Sequence, residues 1–158
     1  MIHHYDECVA LVAGPVLDAL VSELVMGEPM PTAVSEDDKQ KEYMSFTSGT
    51  GAWSPGRGWY LDIENDGQGE YIWRPTAWSG VLETGHALWW PPMQKTLEKI
   101  IDMPVTWYGP YLKPPSWEVN IVHLDYGVAV FEAEVPGLAV LRGAVWLAML
   151  AHDRETAG

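Results

Sequence analysis

Residues 117–151 constrain the fold more than any other stretch of this chain. Trp117 to Val135 alternates apolar and polar residues on both sides of Asp125-Tyr126-Gly127. Strand side chains alternate between faces, so the segment predicts a β-hairpin with two unlike surfaces. A three-residue loop puts Gly127 where a positive φ is needed. That register sets Ile121 opposite Phe131, Val119 opposite Ala133 and Trp117 opposite Val135 on the apolar face, with His123 opposite Ala129. On the acidic face Glu118 meets Glu134 and Asn120 meets Glu132. Pro136-Gly137 breaks the second strand. Leu138 to Ala151 follows as a helix, apolar almost all round apart from Arg142. Such a helix is buried or sits at a subunit contact, and it is too short to span a bilayer.

The remaining elements fit the same plan. Pro15 to Met26 predicts the first helix, with Pro15 in its first turn, an apolar stripe from Leu17 through Leu20, Val21, Leu24 and Val25, and Gly27 as its stop. Ser35 to Glu42 is expected as a polar loop. Trp59 to Arg74 predicts a second hairpin about Asn65-Asp66-Gly67-Gln68, pairing Trp59 with Arg74, Tyr60 with Trp73 and Leu61 with Ile72. That register stacks a guanidinium on an indole, an interaction of about 0.5–2 kcal/mol. It also puts Trp59 and Trp73 on opposite faces. Met93 to Ile101 is a short helix between prolines, and Trp107 to Ser116 is expected as an aromatic, proline-rich connection. The fold class is therefore α+β: antiparallel β-hairpins packed with three helices in an α/β/α-type sandwich. Residues 1–158 form a single domain, with a Trp-, Pro- and Gly-rich central region at 48–117 and a frayed tail at 152–158.

Here the two ends of the chain resemble a known family. Leu17-Asp18-Ala19-Leu20-Val21, running to Val25-Met26-Gly27, resembles the opening helix of the phage ABA-sandwich domain proteins. The hairpin and Ala-rich helix over Glu132 to Ala151, with Leu141-Arg142-Gly143-Ala144, are similar to that family's ending. The resemblance implies a phage or prophage origin and α/β/α layering, with a host-cell cytosol as the setting. It carries no general biochemical activity.

Charge narrows the partners. With a formal net charge of −13 and nine Lys and Arg, the chain is unsuited to wrapping duplex nucleic acid. No membrane contact is expected. Cys8 is the only cysteine, so no intrachain disulfide forms and a reducing cytosol fits. His3-His4-x-Asp6-Glu7-Cys8 brings four ligand types together, and a free amine with His3 would chelate Cu(II) or Ni(II). The segment is expected to be a flexible terminus, so no metal site and no cofactor are assigned. Glu118, Glu132 and Glu134 are expected to share a solvated outer face. Asp62-x-Glu64-x-Asp66-Gly67 opens like a calcium loop but has Trp73 at the twelfth position, where a bidentate Glu belongs. Turn chemistry is the better reading of it.

No catalytic motif is complete, and no catalytic residue is assigned. What stands out is the aromatic centre: eight of nine tryptophans lie between Trp53 and Trp117. Trp53, Arg57, Trp59, Arg74, Trp78, His86, Trp89 and Trp90 are the candidate ligand-binding residues, rings for stacking and guanidiniums for anions. The expected function is binding: capture of a small nucleotide-like ligand, which in a phage would sequester a host defence signal. An acidic inhibitor that binds a basic host protein is the alternative. A small hydrolase using His86 or His123 is the third reading, with Asp125 as the carboxylate that would orient His123. A homodimer fits the apolar last helix.

Overall fold

The computed structural model describes residues 3–39, 58–63, 71–76, 78–79 and 105–157. Within them the chain is an α+β sandwich: α1 (Tyr5–Val9), α2 (Pro15–Leu20) continued by a π-helical turn (Val21–Val25), β1 (Trp59–Ile63), β2 (Tyr71–Pro75), β3 (Val105–Lys113), β4 (Ser116–His123), β5 (Gly127–Ala133) and α3 (Pro136–Ala157). The strands make two antiparallel sheets, β1-β2 and β3-β4-β5. No helix among the described residues is long and apolar enough to cross a membrane.

The core is built where the hydrophobic pattern is strongest. α3 packs on β3, β4 and β5 and also touches α1 and the π turn. Its Val140, Leu141, Val145, Trp146, Leu147 and Leu150 are fully buried, as are Val119, Ile121, Ala129 and Phe131 on the facing sheet. Each large side chain so buried contributes roughly 1.5–3 kcal/mol. Gly143 lets the helix close on the sheet, because a Cβ there would lie 2.9 Å from Ile121 Cδ1 and 3.0 Å from Trp107 Cη2. Arg142, the polar break in the helix, donates to the carbonyls of Leu11 and Glu132.

The β4-β5 hairpin keeps its expected faces but not its expected partners. Gly127 has φ +87°, yet it pairs with His123, so the loop is Leu124-Asp125-Tyr126. Val119 faces Phe131, Ile121 faces Ala129 and Trp117 faces Ala133. The register has moved by two residues. A shift of two preserves which side chains point inward, because the strand period is also two.

Residues 107–113 are strand, not connection. Gly109 and Pro110 sit at a register break between Tyr108 and Tyr111, where the missing proline N–H does no harm to an edge strand. This strand changes the environment of Glu118. Its side chain is buried, takes a hydrogen bond from Tyr111 Oη at 3.3 Å and pairs with Lys113 at 3.1 Å. Glu132 and Glu134 remain exposed, as expected of a solvated face.

Both ends of the chain are more ordered than their composition suggests. Residues 5–9 form α1, and α3 continues through 152–157 instead of fraying. Tyr5 Oη donates to Val130 O, Cys8 is buried with Sγ 3.8 Å from Met149 Sδ, and Trp146 Nε1 donates to His3 O. The expected helix Met93–Ile101 and the turn 64–70, with the calcium-like Glu64 and Asp66, lie outside the described residues.

Candidate functional site

The β1-β2 hairpin decides the geometry of the aromatic site. Its register is Trp59↔Pro75, Tyr60↔Arg74, Leu61↔Trp73, Asp62↔Ile72 and Ile63↔Tyr71, one residue away from the expected pairing. A slip of one exchanges the faces of one strand relative to the other. The expected Trp59–Arg74 stack is therefore lost, since Arg74 lies across from Tyr60 and is exposed. Trp59 and Trp73, expected on opposite faces, share one face as diagonal neighbours.

Residues 27–39 fold over that face and are fastened to it. Gly27, at φ +70°, ends the helical segment and turns the chain. Trp59 Nε1 then donates to Glu28 O at 2.7 Å, Gly58 N donates to Glu28 Oε2, and Trp73 Nε1 donates to Ala33 O at 3.0 Å. Ser35 and Asp38 close a reciprocal capping pair, Asp38 N to Ser35 Oγ at 3.1 Å and Ser35 N to Asp38 Oδ2 at 3.0 Å. This starts a helical turn over residues 36–39, where a loop was expected. Lys39 Nζ lies 5.2 Å from the centre of the Tyr71 ring, a cation–π contact that fixes the far end of the segment.

Between segment and hairpin runs an open cleft of about 320 Å³, lined by Gly27, Glu28, Pro29, Pro31, Asp38, Trp59 and Trp73. That volume is at the small end of ligand pockets. Both indole N–H groups are engaged by backbone carbonyls; Trp59 is 7% exposed, so the half-buried Trp73 offers most of the carbon surface open to a ligand. The polar chemistry at the rim is carboxylate, from Glu28 and Asp38. A flat group that carries N–H donors or positive charge fits this lining, and a phosphate does not.

The other candidates separate. Trp78, expected as a free loop indole, is fully buried and donates to Ser22 Oγ at 3.0 Å, so it is core. Ser22 in the π turn also donates to Gly58 O, which ties the helix to the start of β1. Trp53, Arg57, His86, Trp89 and Trp90 lie outside the described residues. Glu28, Pro29, Pro31 and Asp38 were not read from the sequence as site residues. The signal for them is Ser35-x-x-Asp38, a capping pattern inside what looks like a polar loop.

His123 does not have the surroundings of a general base. It is 1% exposed, and its Nδ1 accepts from the backbone N–H of Asp125 at 3.1 Å, so Asp125 contributes its amide and not a carboxylate orienter. The Nε2 atom has no hydrogen-bond partner among the described residues. Burial pulls its pKa below 6.5, Asp125 pushes it up and Arg154 down. A depressed folded pKa means stability present above pH 6.5 and lost as pH falls through the folded value, because the unfolded chain takes the proton first. His123→Leu is expected to gain stability relative to the native chain between pH 7 and pH 5 in thermal melts. A difference between the two proteins that stays constant with pH would contradict this.

Compared with protein-family models, with curated proteins and with solved structures, the chain matches none of them.

Proposed function

We propose that this protein acts by binding, and that the Trp59–Trp73 cleft takes the base of a small nucleotide-like ligand. The observation that carries the reading is the pairing of two indoles on one face with carboxylates at the rim. An amino-bearing base such as adenine, guanine or cytosine is flat enough to lie on indole carbon and has N–H donors for Glu28 and Asp38. The phosphates then stay outside the cleft, away from its acids. In a protein of phage origin, as the sequence of the chain ends leads us to expect, such binding would serve to sequester a host signal in the host cytosol.

Tryptophan fluorescence titrations with nucleosides, their 5′-phosphates and cyclic dinucleotides test this directly. Trp73→Ala is expected to weaken binding about 10- to 100-fold, the size of one lost base stack. Removing the phosphate from the ligand is expected to cost little affinity. No quenching by any member of the panel at high micromolar concentration would sink the reading.

A second reading rests on the same carboxylates and on the net charge of −13. Here the cleft receives a Lys or Arg side chain of a basic host protein. Ionic strength separates the two, since charge-led capture weakens steeply with salt and stacking does not.

A further inference from the structure

The N-terminal segment and the end of α3 meet at a cluster the binding cleft does not use. His3 Nε2 lies 2.9 Å and His4 Nε2 2.6 Å from the same oxygen, Asp153 Oδ2. All three ligand atoms lie within 4.8 Å of one another. Consecutive residues in extended backbone send their side chains to opposite sides. His4 avoids this by adopting φ +62° and ψ 0°, the left-handed region, and it is the one non-glycine residue among the described residues that does so. The two imidazole rings consequently lie 4.1 Å apart and reach one carboxylate.

Three local rules are broken to build this arrangement. A β-carbon at positive φ is strained, of order 1–3 kcal/mol. His4 occupies the N-cap of α1 without making a side-chain cap, where Ser, Thr, Asp or Asn would stabilise the helix. Asp153 places a negative charge near the C-terminal end of α3, against the helix dipole. Together they put two imidazoles and a carboxylate in one place.

We propose that His3, His4 and Asp153 form a binding site for a divalent transition-metal ion of the Zn(II) or Co(II) class. Two imidazole nitrogens and one carboxylate oxygen are a ligand set those ions take, with the remaining position open to water. His3 is 57% exposed at its side chain, so that position faces solvent. Tetrahedral Zn(II) with bonds of ~2.0–2.1 Å needs ligand atoms ~3.3 Å apart. The His–Asp separations of 2.6 and 2.9 Å open to that with small side-chain movements. The ion takes the place of the proton that each imidazole Nε2 directs at Asp153: a protonated ring gives that proton to solvent, and a neutral ring carries its one proton on Nδ1 instead. Glu7 Oε1 stands 3.4 Å from His4 Nδ1, the outer carboxylate that orients a ligating imidazole. Trp146 Nε1, 2.8 Å from His3 O, holds the backbone of the first ligand. Cys8 is not a ligand, because it is buried beside Met149.

The test is Co(II) titration of the untagged chain, read by visible d–d absorption and competed with Zn(II). One Co(II) per chain is expected. His3→Gln, His4→Gln and Asp153→Asn are each expected to weaken binding at least tenfold, and Glu7→Gln about tenfold. Since Asp153→Asn also loosens the contact of the N-terminal segment with α3, the wild-type protein supplies a second measurement. Paramagnetic broadening by Co(II) is expected at the ring protons of His3, His4 and Tyr126, whose ring stacks on His3 at 6.4 Å. Binding that survives both His4→Gln and Asp153→Asn overturns the site, as does wild-type protein with no broadening at these residues and no d–d band at 100 µM metal.

Discussion

Ser22→Ala is expected to destabilise this protein by about 1–3 kcal/mol, more than the loss of an exposed hydroxyl from a helix would cost. The Ser22 Oγ–H donates to Gly58 O, and the same oxygen accepts from Trp78 Nε1. Ser22, Gly58 and Trp78 are all buried, so no water replaces the hydroxyl. Its removal leaves the buried Trp78 indole N–H without a partner, at about 1–3 kcal/mol, while Gly58 O keeps the hydrogen bond it accepts from Thr76 N at 2.9 Å. The effect should reach the cleft. Gly58 N also donates to Glu28 Oε2, and its neighbour Trp59 donates to Glu28 O. Urea denaturation should show a lower midpoint at an unchanged m-value, with an altered near-ultraviolet circular dichroism spectrum from the indoles. A loss below about 0.5 kcal/mol, the size of an ordinary surface substitution, would show that Ser22 is not the junction described.

The second large effect lies at alkaline pH. Burial, with a smaller contribution from the charge of Glu7, pushes the Cys8 thiol up from 9.0 to about 12. In the unfolded chain the thiol ionises near its ordinary value, whereas the folded chain keeps its proton. Between those values the unfolded state holds fewer protons than the native state, so stability falls as pH rises. The slope from this group is about 1.4 kcal/mol per pH unit, or about 4 kcal/mol over the whole interval. Chemical denaturation at pH 8, 9, 10 and 11 measures it. Cys8→Ala is less stable at neutral pH, because a buried side chain is shortened, but it should lack this component of the alkaline slope. Equal slopes in the two proteins would place the thiol in contact with solvent. The same burial makes Cys8 slow towards thiol reagents in the folded protein.

The expected α+β layering, the faces of the long hairpin and the buried last helix agree with the structure, because each rests on a pattern that tolerates error. The β4-β5 register shows why. A two-residue displacement left Val119, Ile121 and Phe131 inside, so the core was legible even though their partners were not. On the shorter hairpin a one-residue displacement moved Trp73 to the side of Trp59 and took Arg74 away from it. There the hydrophobic alternation is weak, with Tyr60, Trp59 and Leu61 in succession, and side chains alone do not fix which face is which. Strand β3 was hidden by Gly109 and Pro110, residues that read as a connection but here occupy an irregularity at a sheet edge. Trp78 shows a different limit. Its surroundings in sequence are those of a loop, and only the π turn, by bringing Ser22 to its N–H, makes it core. The histidine cluster had visible ligand types at one end of the chain, but Asp153 lies 149 residues beyond His4, a separation no local spacing reveals.

The fastening of residues 3–11 to α3 has a consequence for the order in which the chain can be made. The carbonyls of His3 and Leu11, the ring of His4 and the thiol of Cys8 all meet groups between 142 and 153. On a ribosome the first of these emerges long before the last. The early segment must therefore wait, with its apolar Cys8 exposed, until nearly all the described chain has followed. Contacts so distant in sequence form slowly and reward the chain late. Emergence of residues 142–153 from the ribosome, and not hairpin formation, is then the step at which these described elements close on one another.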